Sequence, residues 1–435
     1  MENKDVKQTA QEAMDAQRQQ GSNKQLYFWI AALIIGGILG MLGNGTINEM
    51  CDFVATIFTR LFQFIAVPTI ALAVITTLAS LGAEKNTGKI FVRTITYTLL
   101  TTFAASFVAL ALYIIIAPGN LPSDLIGAAA GATKKYASLS YYNHFLNVVP
   151  NNMVRPFLEG NVLSVLSIAG AVGMGIACAP KNENREVVLK FVYGLQEVLF
   201  TMIRGLMKVL PIGIVAFAAQ LSAQIEAGVI VGALGKYMAV VMGGNFIQMF
   251  IVLPLFLLAR GLNPIDVFRK MSPALAVALF TKSSAATLPV TLASAEMNLK
   301  ARKEVTRFVL PICTTINMNG CAAFILVTSL FVLQNGGVEL TMGTMLTWVC
   351  ISVFAAVGNA GVPMGCYFLT LSLVSSMGAP VGVMGIILPI YAVIDMIETA
   401  ENVWSDSTVC AMTNNDLKDD LAYKSDGFLT RRYFQ

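Results

Sequence analysis

Charged residues are scarce in this chain of 435 residues: they make up 12% of it, while hydrophobic residues make up 56%. Soluble domains carry about 25% charged residues. Apolar runs recur along the chain, and spanning the hydrocarbon of a bilayer takes about 20 such residues. The composition therefore predicts a polytopic, all-α membrane protein surrounded by the lipid bilayer. The net charge of +4 is mild and gives no indication of a nucleic acid partner.

The sequence has a single histidine and no CxxC motif. The single histidine, His144, lies in a loop-like stretch, so we expect no histidine-based metal site or serine–histidine dyad inside the membrane. The seven cysteines are odd in number, lie in apolar segments and form no CxxC motif. We interpret them as small core residues rather than as disulfides or metal ligands. Without a nucleophile–base set, the chain is not expected to be an enzyme.

Apolar segments predict the first six membrane helices. Residues 1–26 are polar and rich in glutamine, and we expect a disordered cytoplasmic head there, without a signal peptide. The basic tail, 416–435, should also be cytoplasmic. Segments 48–81 and 187–222 are too long for an upright span and should be tilted or bent. The predicted spans are 27–44, 48–81, 90–117, 150–179, 187–222 and 228–260.

Two later stretches predict re-entrant hairpins. In the first, short apolar arms flank the polar tip TKSSAAT (281–287), and basic outer flanks indicate entry from the cytoplasm. In the second, 341–378, the turn GNAGVPMG (358–365) lies between flanks without basic residues, which indicates entry from outside. Charge parity alone would also allow two full crossings there. With full spans at 308–333 and 380–414, opposed hairpins indicate an inverted repeat, which is typical of secondary transporters with a midplane site.

The final helix carries four carboxylates in the stretch DMIETAENVWSD (395–406). At about 100° per residue, one face carries four of its polar residues: Asp395, Glu398, Asn402 and Asp406. Thr399 lies close to this face, and Glu401 lies nearer a flank. Because an acid facing lipid costs about 3 kcal/mol, these groups should face a protein interior or a water cavity. The alternative is that 401–406 lies at the cytoplasmic interface and is simply hydrated.

The stretch TTINMNGC (314–321) interrupts another apolar helix. Asn317, Asn319 and Gly320 indicate local unwinding. Freed carbonyl groups and amide oxygens are hard ligands that suit Na⁺. The alternative is a polar contact between helices, which is common in membranes. Beside the two hairpins, we favour the ion site.

Four motifs together, SSAATLPVT, TINMNG, GNAGVPMG and DMIETAENVWSD, resemble the signatures of the glutamate-transporter homologue family, the dicarboxylate/amino acid:cation symporters. Their order and spacing match over about residues 27–415. The resemblance implies eight transmembrane helical regions, two opposed hairpins and a homotrimer. It also implies a scaffold (about 27–81 and 135–222) against which a transport part (about 90–117 and 228–415) moves as an elevator.

The resemblance also implies roles for individual residues. Asp395 would bind the substrate's α-amino group, and Asn402 with the hairpin backbone would hold its α-carboxylate. The implied substrate-binding residues are Ser283, Ser284, Cys321, Val362, Asp395, Glu398, Thr399 and Asn402. The implied sodium sites are a first at Cys313, Asn317, Asn402 and Asp406, a second at Thr315, Met318, Ala356, Val357 and Asn359, and a third at Thr101, Thr102, Asn317 and Asn319.

Three departures from the family pattern bear on the substrate. Glu398 stands where members that carry acidic substrates have arginine, and this reversed charge should repel a second carboxylate by about 4 kcal/mol at about 4 Å and an effective dielectric near 20. Cys321 replaces the usual threonine after the break. Asn319 replaces the acid of the third ion site, and Thr98 stands where an aromatic residue is usual, so that site loses its charge.

We therefore expect a sodium-coupled amino acid symporter of the inner or plasma membrane. A small polar substrate such as serine or threonine is the first choice, and a basic amino acid paired by Glu398 is the runner-up. Whether a proton replaces one sodium stays open. From another class, the chain could be an amino-acid-gated anion channel. Lys282 either approaches Met396 and partly neutralises Glu398, or stays hydrated on the cytoplasmic side.

Overall fold

The computed structural model of the protein describes residues 22–42, 45–81, 88–121, 149–159, 162–180, 182–223, 229–359, 361 and 364–418. Over these ranges the chain forms helices joined by turns, with no strand. The described part also contains a π-helical turn (Gln248–Val252) and a 3₁₀ turn (Val357–Asn359). In chain order the helices are α1 (Ser22–Met41), α2 (Gly45–Leu81), α3 (Gly88–Ile116), α4 (Arg155–Glu159), α5 (Val162–Cys178), α6 (Glu183–Ala223), α7 (Val229–Ile247), α8 (Leu253–Ala259), α9 (Pro264–Thr281), α10 (Ser284–Met297), α11 (Lys303–Ile316), α12 (Asn319–Asn335), α13 (Met342–Ala356), α14 (Gly365–Ser376) and α15 (Gly382–Asp416).

The apolar length of these helices supports the predicted class of helical membrane protein. Among the described residues, four stretches are long and apolar enough to cross a membrane, and the number rises to six if each of two bent pairs is one span. The predicted eight helical regions with two hairpins stay a prediction. The four are Lys89–Ile116, Gly232–Ala259, Lys303–Asn335 and Met342–Asn359; the bent pairs are Glu183–Ile203 with Lys208–Ala219, and Gly382–Tyr391 with Val393–Asp416.

A proline lies near the bend in each of the two long helices. The pair within α6 bends by 52°, and Pro211 lies just after that break. The pair within α15 bends by 68°, just after Pro389. A proline inside a helix removes one backbone hydrogen bond and its ring crowds the preceding turn. The bend predicted for 187–222 is thus confirmed.

Helix boundaries differ from the prediction in two places. Helix α1 begins at Ser22, so residues 22–26 are helical and the predicted disordered head is too long; residues 1–21 lie outside the described part of the chain. In the predicted span 150–179, residues 150–154 are not helical, and helix begins at Arg155. Asn152 Oδ1 accepts hydrogen bonds from the backbone N–H groups of Val154 and Arg155, which caps the start of α4.

The helices pack in two groups. Helix α1 packs on α6, and α2 packs on both α5 and α6. The second group contains α3 and the helices from α7 onward, which pack mainly on one another. Its centre is the broken helix, meaning α11, α12 and the two residues between them, which is buried along its apolar length. This packing places the interruption in the broken helix deep inside the protein.

Candidate functional site

The two hairpin tips meet at one point inside the second group of helices. We call α9 and α10 the first hairpin, and α13 and α14 the second hairpin. Ser283 caps α10, because its Oγ accepts a hydrogen bond from the Ala286 N–H at 3.2 Å. The same hydroxyl donates to the carbonyl oxygen of Gly361, at the tip of the second hairpin, at 2.7 Å. Gly361 has a φ of +62°, and a Cβ there would lie 2.6 Å from the Thr314 carbonyl oxygen, so this close approach requires glycine.

The predicted unwinding of TTINMNGC is confirmed. Helix α11 ends at Ile316 and α12 begins at Asn319, and the two residues between them have non-helical backbone angles. The Asn317 amide donates to Asp406 Oδ1 at 2.9 Å. The Gly320 N–H donates to Asn402 Oδ1, also at 2.9 Å. Hydrogen bonds from the break therefore hold it against α15, which carries the acids.

The polar stripe of α15 faces the interior, as its spacing predicts. Asp395 is 4% exposed and Glu398 is 1% exposed. Glu401 and Asp406 are both fully buried, so the alternative of a hydrated interface at 401–406 is wrong. The helix runs on to Asp416, and its acidic stretch is covered by helices of the second group.

A small cavity lies among the hairpin tips, the broken helix and α15. Six of the eight predicted substrate-binding residues line it, and Ser283 lies at the adjoining tip contact. Val362 lies outside the described residues. Met318, Asn359, Gly361 and Lys282 complete the lining. The six lining residues are Ser284, Cys321, Asp395, Glu398, Thr399 and Asn402.

Tyr391 connects the two acids of the cavity. Its hydroxyl lies 3.1 Å from Glu398 Oε2, to which it donates, and 3.4 Å from Asp395 Oδ1. Asp395 Oδ2 accepts a second hydrogen bond, from the Met364 N–H at 3.2 Å. Glu398 Oε1 has no hydrogen-bond partner among the described residues. Sequence reasoning missed Tyr391, although its spacing of four and seven residues places it on the acidic face.

Lys282 does not take the hydrated cytoplasmic placement that the sequence left open as one alternative. It lines the cavity and is only partly exposed, so it is not a hydrated side chain outside the site. Glu398 lines the same cavity, and the approach of Lys282 to Met396 stays a prediction. The backbone of Lys282 has a left-handed φ of 54° at the end of α9, which turns the chain into the hairpin tip.

The interpretation of the cysteines as isolated core residues is wrong for one pair. Cys321 and Cys366 form a disulfide, with their Cα atoms 5.5 Å apart. A carboxylate oxygen of Glu398 and the two sulfurs lie within 4.8 Å of one another. The pair is separated by 45 residues, and only the meeting of the broken helix with the second hairpin brings it together. The other described cysteines are free: Cys51, Cys178, Cys313, Cys350 and Cys410.

The residues of the first predicted sodium site lie close together. Asn317 donates from its side chain to Asp406 Oδ1, and its backbone N–H donates to the Cys313 carbonyl oxygen at 2.8 Å. Asn402 is held to the break through Gly320. Asp406 Oδ2 is buried and has no hydrogen-bond partner among the described residues. An unpartnered buried carboxylate oxygen beside amide and carbonyl groups fits a hard cation.

The residues of the second predicted sodium site lie around the tip of the second hairpin. Asn359 Nδ2 lies 3.8 Å from Met318 Sδ, and Asn359 Oδ1 is buried without a described partner. Helix α11, which carries Thr315, packs against the 3₁₀ turn. Ala356 and Val357 lie where α13 passes into that turn.

The third predicted sodium site is brought together as a neutral network. Thr102 donates from its hydroxyl to Asn319 Oδ1 at 2.8 Å. The Thr101 hydroxyl lies 3.4 Å from the same oxygen and 3.3 Å from Asn317 Oδ1. The Asn319 amide donates to Ser405 Oγ at 2.8 Å. Asn319 therefore has only neutral partners, and the carboxylate next to this network is Asp406, to which the Asn317 amide donates.

Comparison with known proteins agrees with this arrangement. The profile of the Sodium:dicarboxylate symporter family matches residues 26–416. The chain belongs to this family. Members of the Sodium:dicarboxylate symporter family are transporters, which confirms both the resemblance and the expectation that the chain is not an enzyme. Sodium-coupled symport across a membrane is thereby supported for this member.

Similar members of the Sodium:dicarboxylate symporter family include animal proteins. Excitatory amino acid transporter 1 of Ambystoma tigrinum is 28% identical over 443 residues, which cover 88% of this chain and 81% of the relative. Excitatory amino acid transporter 3 of Mus musculus is 27% identical over 433 residues, 87% of this chain and 82% of the relative. The putative sodium-dependent excitatory amino acid transporter glt-3 of Caenorhabditis elegans is 28% identical over 429 residues, which cover 88% of this chain and 80% of the relative.

Proposed function

We propose that the protein is a multi-pass plasma-membrane symporter that couples sodium to the transport of an amino acid with a small, neutral, polar side chain. Serine and threonine are the substrates of first choice. The observation that carries this proposal is the Glu398 carboxylate, which lines the cavity with Oε1 free of any described hydrogen-bond partner. A substrate hydroxyl would donate to this oxygen, whereas a substrate carboxylate would be repelled by it.

The remaining cavity groups suit the common part of an amino acid. Asp395 supplies a carboxylate for the α-ammonium group. The α-carboxylate would lie at the N-terminus of α10, where the first backbone N–H groups and the helix dipole favour an anion. Asn402 adds a donor, because its Nδ2 makes only a 3.4 Å contact to Cys321 Sγ while its oxygen is held by Gly320. Binding by these groups orients the side chain toward Glu398.

Lys282 favours a neutral over a basic substrate. Lys282 belongs to the cavity lining, and its ammonium group would repel a second cation there. The basic amino acid considered from the sequence would pair with Glu398, but it would have to share the cavity with this lysine. A neutral hydroxyl meets no such repulsion.

Sodium would bind where buried oxygens lack partners. Asp406 Oδ2 and Asn359 Oδ1 are such atoms, one in each of the first two predicted sites. Sodium at these positions would neutralise Asp406 and hold the second hairpin tip against the broken helix. Substrate affinity and sodium affinity would then raise each other reciprocally.

We also propose an elevator movement within a homotrimer, and the packing in two groups supports the movement. The cavity and all three predicted ion sites belong to the second group of helices, together with α3. That group could therefore move past the first group with the substrate and ions enclosed. Both termini would be cytoplasmic, in keeping with the basic residues of the head and tail.

Uptake into proteoliposomes tests this function. An inward sodium gradient should drive accumulation of labelled serine or threonine, and competition by all twenty amino acids should show little effect of aspartate. Substrate-dependent chloride current without accumulation would instead indicate an amino-acid-gated anion channel. Accumulation of lysine or arginine in preference to serine would indicate the basic substrate class.

A further inference from the structure

Glu401 is a buried acid that the proposed transport sites do not use. It lies on α15 and is fully buried, and neither of its carboxylate oxygens has a hydrogen-bond partner among the described residues. No salt bridge of the described chain reaches it, and the sequence contains no lysine or arginine from Phe308 to Leu417. Burying an ionised group without a partner costs much free energy. An ionised Glu401 therefore needs a positively charged ligand.

A second unpartnered oxygen faces the same place. A Cβ built on Gly320 would lie 2.8 Å from Glu401 Oε2 and 2.6 Å from Asn245 Oδ1. Both oxygens thus lie close to Gly320 at the break, where any larger side chain would collide with them. Asn245 is 1% exposed and donates from its Nδ2 to the Val241 carbonyl oxygen at 2.8 Å, which leaves Oδ1 as its free group.

The side-chain amide of Gln248 resembles that of Asn245, because its nitrogen is bonded and its oxygen has no described partner. Gln248 follows Asn245 by three residues, and its Nε2 donates to the Thr101 carbonyl oxygen at 3.0 Å. Its Oε1 is buried and has no described partner. The backbone N–H of Gly320 already donates to Asn402 Oδ1. Near Glu401, the Asn245 oxygen is therefore an acceptor without a described donor, and oxygen atoms of this kind are hard-cation ligands.

We propose that Glu401 and Asn245 bind a sodium ion in this member of the family. Glu401 would supply the negative charge that is lost where Asn319 replaces the acid of the third ion site. Asn319 is already satisfied by Thr102 and Ser405 in a neutral network, so it needs no cation. The inference rests on the proposed sodium coupling and adds to it one site formed by α7 and α15.

The test is the sodium dependence of the purified full-length protein, with Glu401→Gln as the main variant. Thermal stability is measured against sodium concentration without amino acid, at constant ionic strength with choline. The dissociation constant of serine is then measured over the same range. The slope of log Kd against log[Na⁺] counts the sodium ions bound together with serine. Because Kd falls as sodium rises, this slope is negative. We expect Glu401→Gln to reduce its magnitude by about one, so that a tenfold fall in sodium weakens serine binding about tenfold less than in the wild type.

Three further variants keep the test decisive. Asn245→Leu removes the amide ligand but keeps the carboxylate, and should shift sodium-dependent stabilisation to higher sodium concentrations. Glu339→Gln removes an exposed acid and should change nothing. The double variant Glu401→Gln/Asn319→Asp places an acid at position 319 instead of position 401. The magnitude of the slope of log Kd against log[Na⁺] should then rise again.

The outcomes separate this site from the proposed function. An unchanged sodium slope in folded Glu401→Gln overturns the site, as does a loss of pH dependence alone, which would assign a proton instead. If Glu401→Gln does not fold, unchanged sodium stabilisation in Asn245→Leu overturns the site equally. Failure of serine to bind the wild type at any sodium concentration would refute the proposed substrate, while the sodium stabilisation without amino acid would still test Glu401.

Discussion

Replacing Glu398 should change which side chain the cavity accepts. Glu398 lines the cavity, its Oε2 is held by Tyr391 at 3.1 Å, and its Oε1 has no described hydrogen-bond partner. A substrate carboxylate at about 4 Å would be repelled by about 4 kcal/mol at an effective dielectric near 20, which corresponds to roughly a thousandfold in affinity. Wild type should therefore bind aspartate far more weakly than serine.

The isosteric variant Glu398→Gln isolates this charge. It keeps an acceptor for a substrate hydroxyl, so serine should lose only about 1 kcal/mol, roughly fivefold to tenfold in affinity. The preference for serine over aspartate should fall by at least about a hundredfold as the repulsion disappears. Glu398→Asp retains the charge and is the matched control, which should still exclude aspartate.

The arginine variant reverses the preference. Glu398→Arg should gain measurable aspartate binding and lose serine, and the gain is expected to need Cys321→Thr as well, since the wild type has no hydroxyl there. The assay is competition by all twenty amino acids against a labelled substrate, with thermal stability as the check on folding. Tight aspartate binding by the wild type, or an unaltered preference in Glu398→Gln, would refute the reasoning.

Three other substitutions test the remaining parts of the site. Asp395→Asn should weaken amino acid binding by about 3 kcal/mol, roughly a hundredfold, because a charge-assisted contact to the α-ammonium group becomes neutral; near-wild-type affinity by calorimetry would rule out that role. Asp406→Asn should raise the sodium concentration needed for half-maximal substrate binding, and high sodium should partly restore affinity; an unchanged sodium dependence would mean that Asp406 binds no ion. Cys366→Ser should make uptake insensitive to reductant, whereas reduction should speed wild-type uptake, because the disulfide to Cys321 holds the second hairpin against the broken helix; equal responses of both proteins would contradict this.

Local patterns in the sequence predicted much of the site. The inward stripe of α15 follows from helical spacing, because a membrane helix hides its acids from lipid. The break at Asn317 and Met318 follows from polar residues and glycine inside an apolar run. The tips of both hairpins follow from short apolar arms around polar or glycine-rich turns. Each of these signals lies within a short stretch of the chain.

Contacts between distant stretches were beyond sequence reasoning. The bond between Cys321 and Cys366 depends on the approach of two elements separated by 45 residues. The direction of Lys282 depends on one left-handed backbone angle at the hairpin tip. The full burial of Glu401 beside Asn245 depends on how α7 packs against α15. Only Tyr391 had a local signal, its spacing from the two acids, that could have been used.

The most direct test of the proposed function is sodium-driven uptake by the wild-type protein in proteoliposomes, with labelled serine and labelled aspartate measured side by side. We predict that an inward sodium gradient accumulates serine above its external concentration, that replacing sodium by choline abolishes this, and that aspartate does not accumulate. Sodium-driven accumulation of aspartate, with serine left outside, would contradict the account.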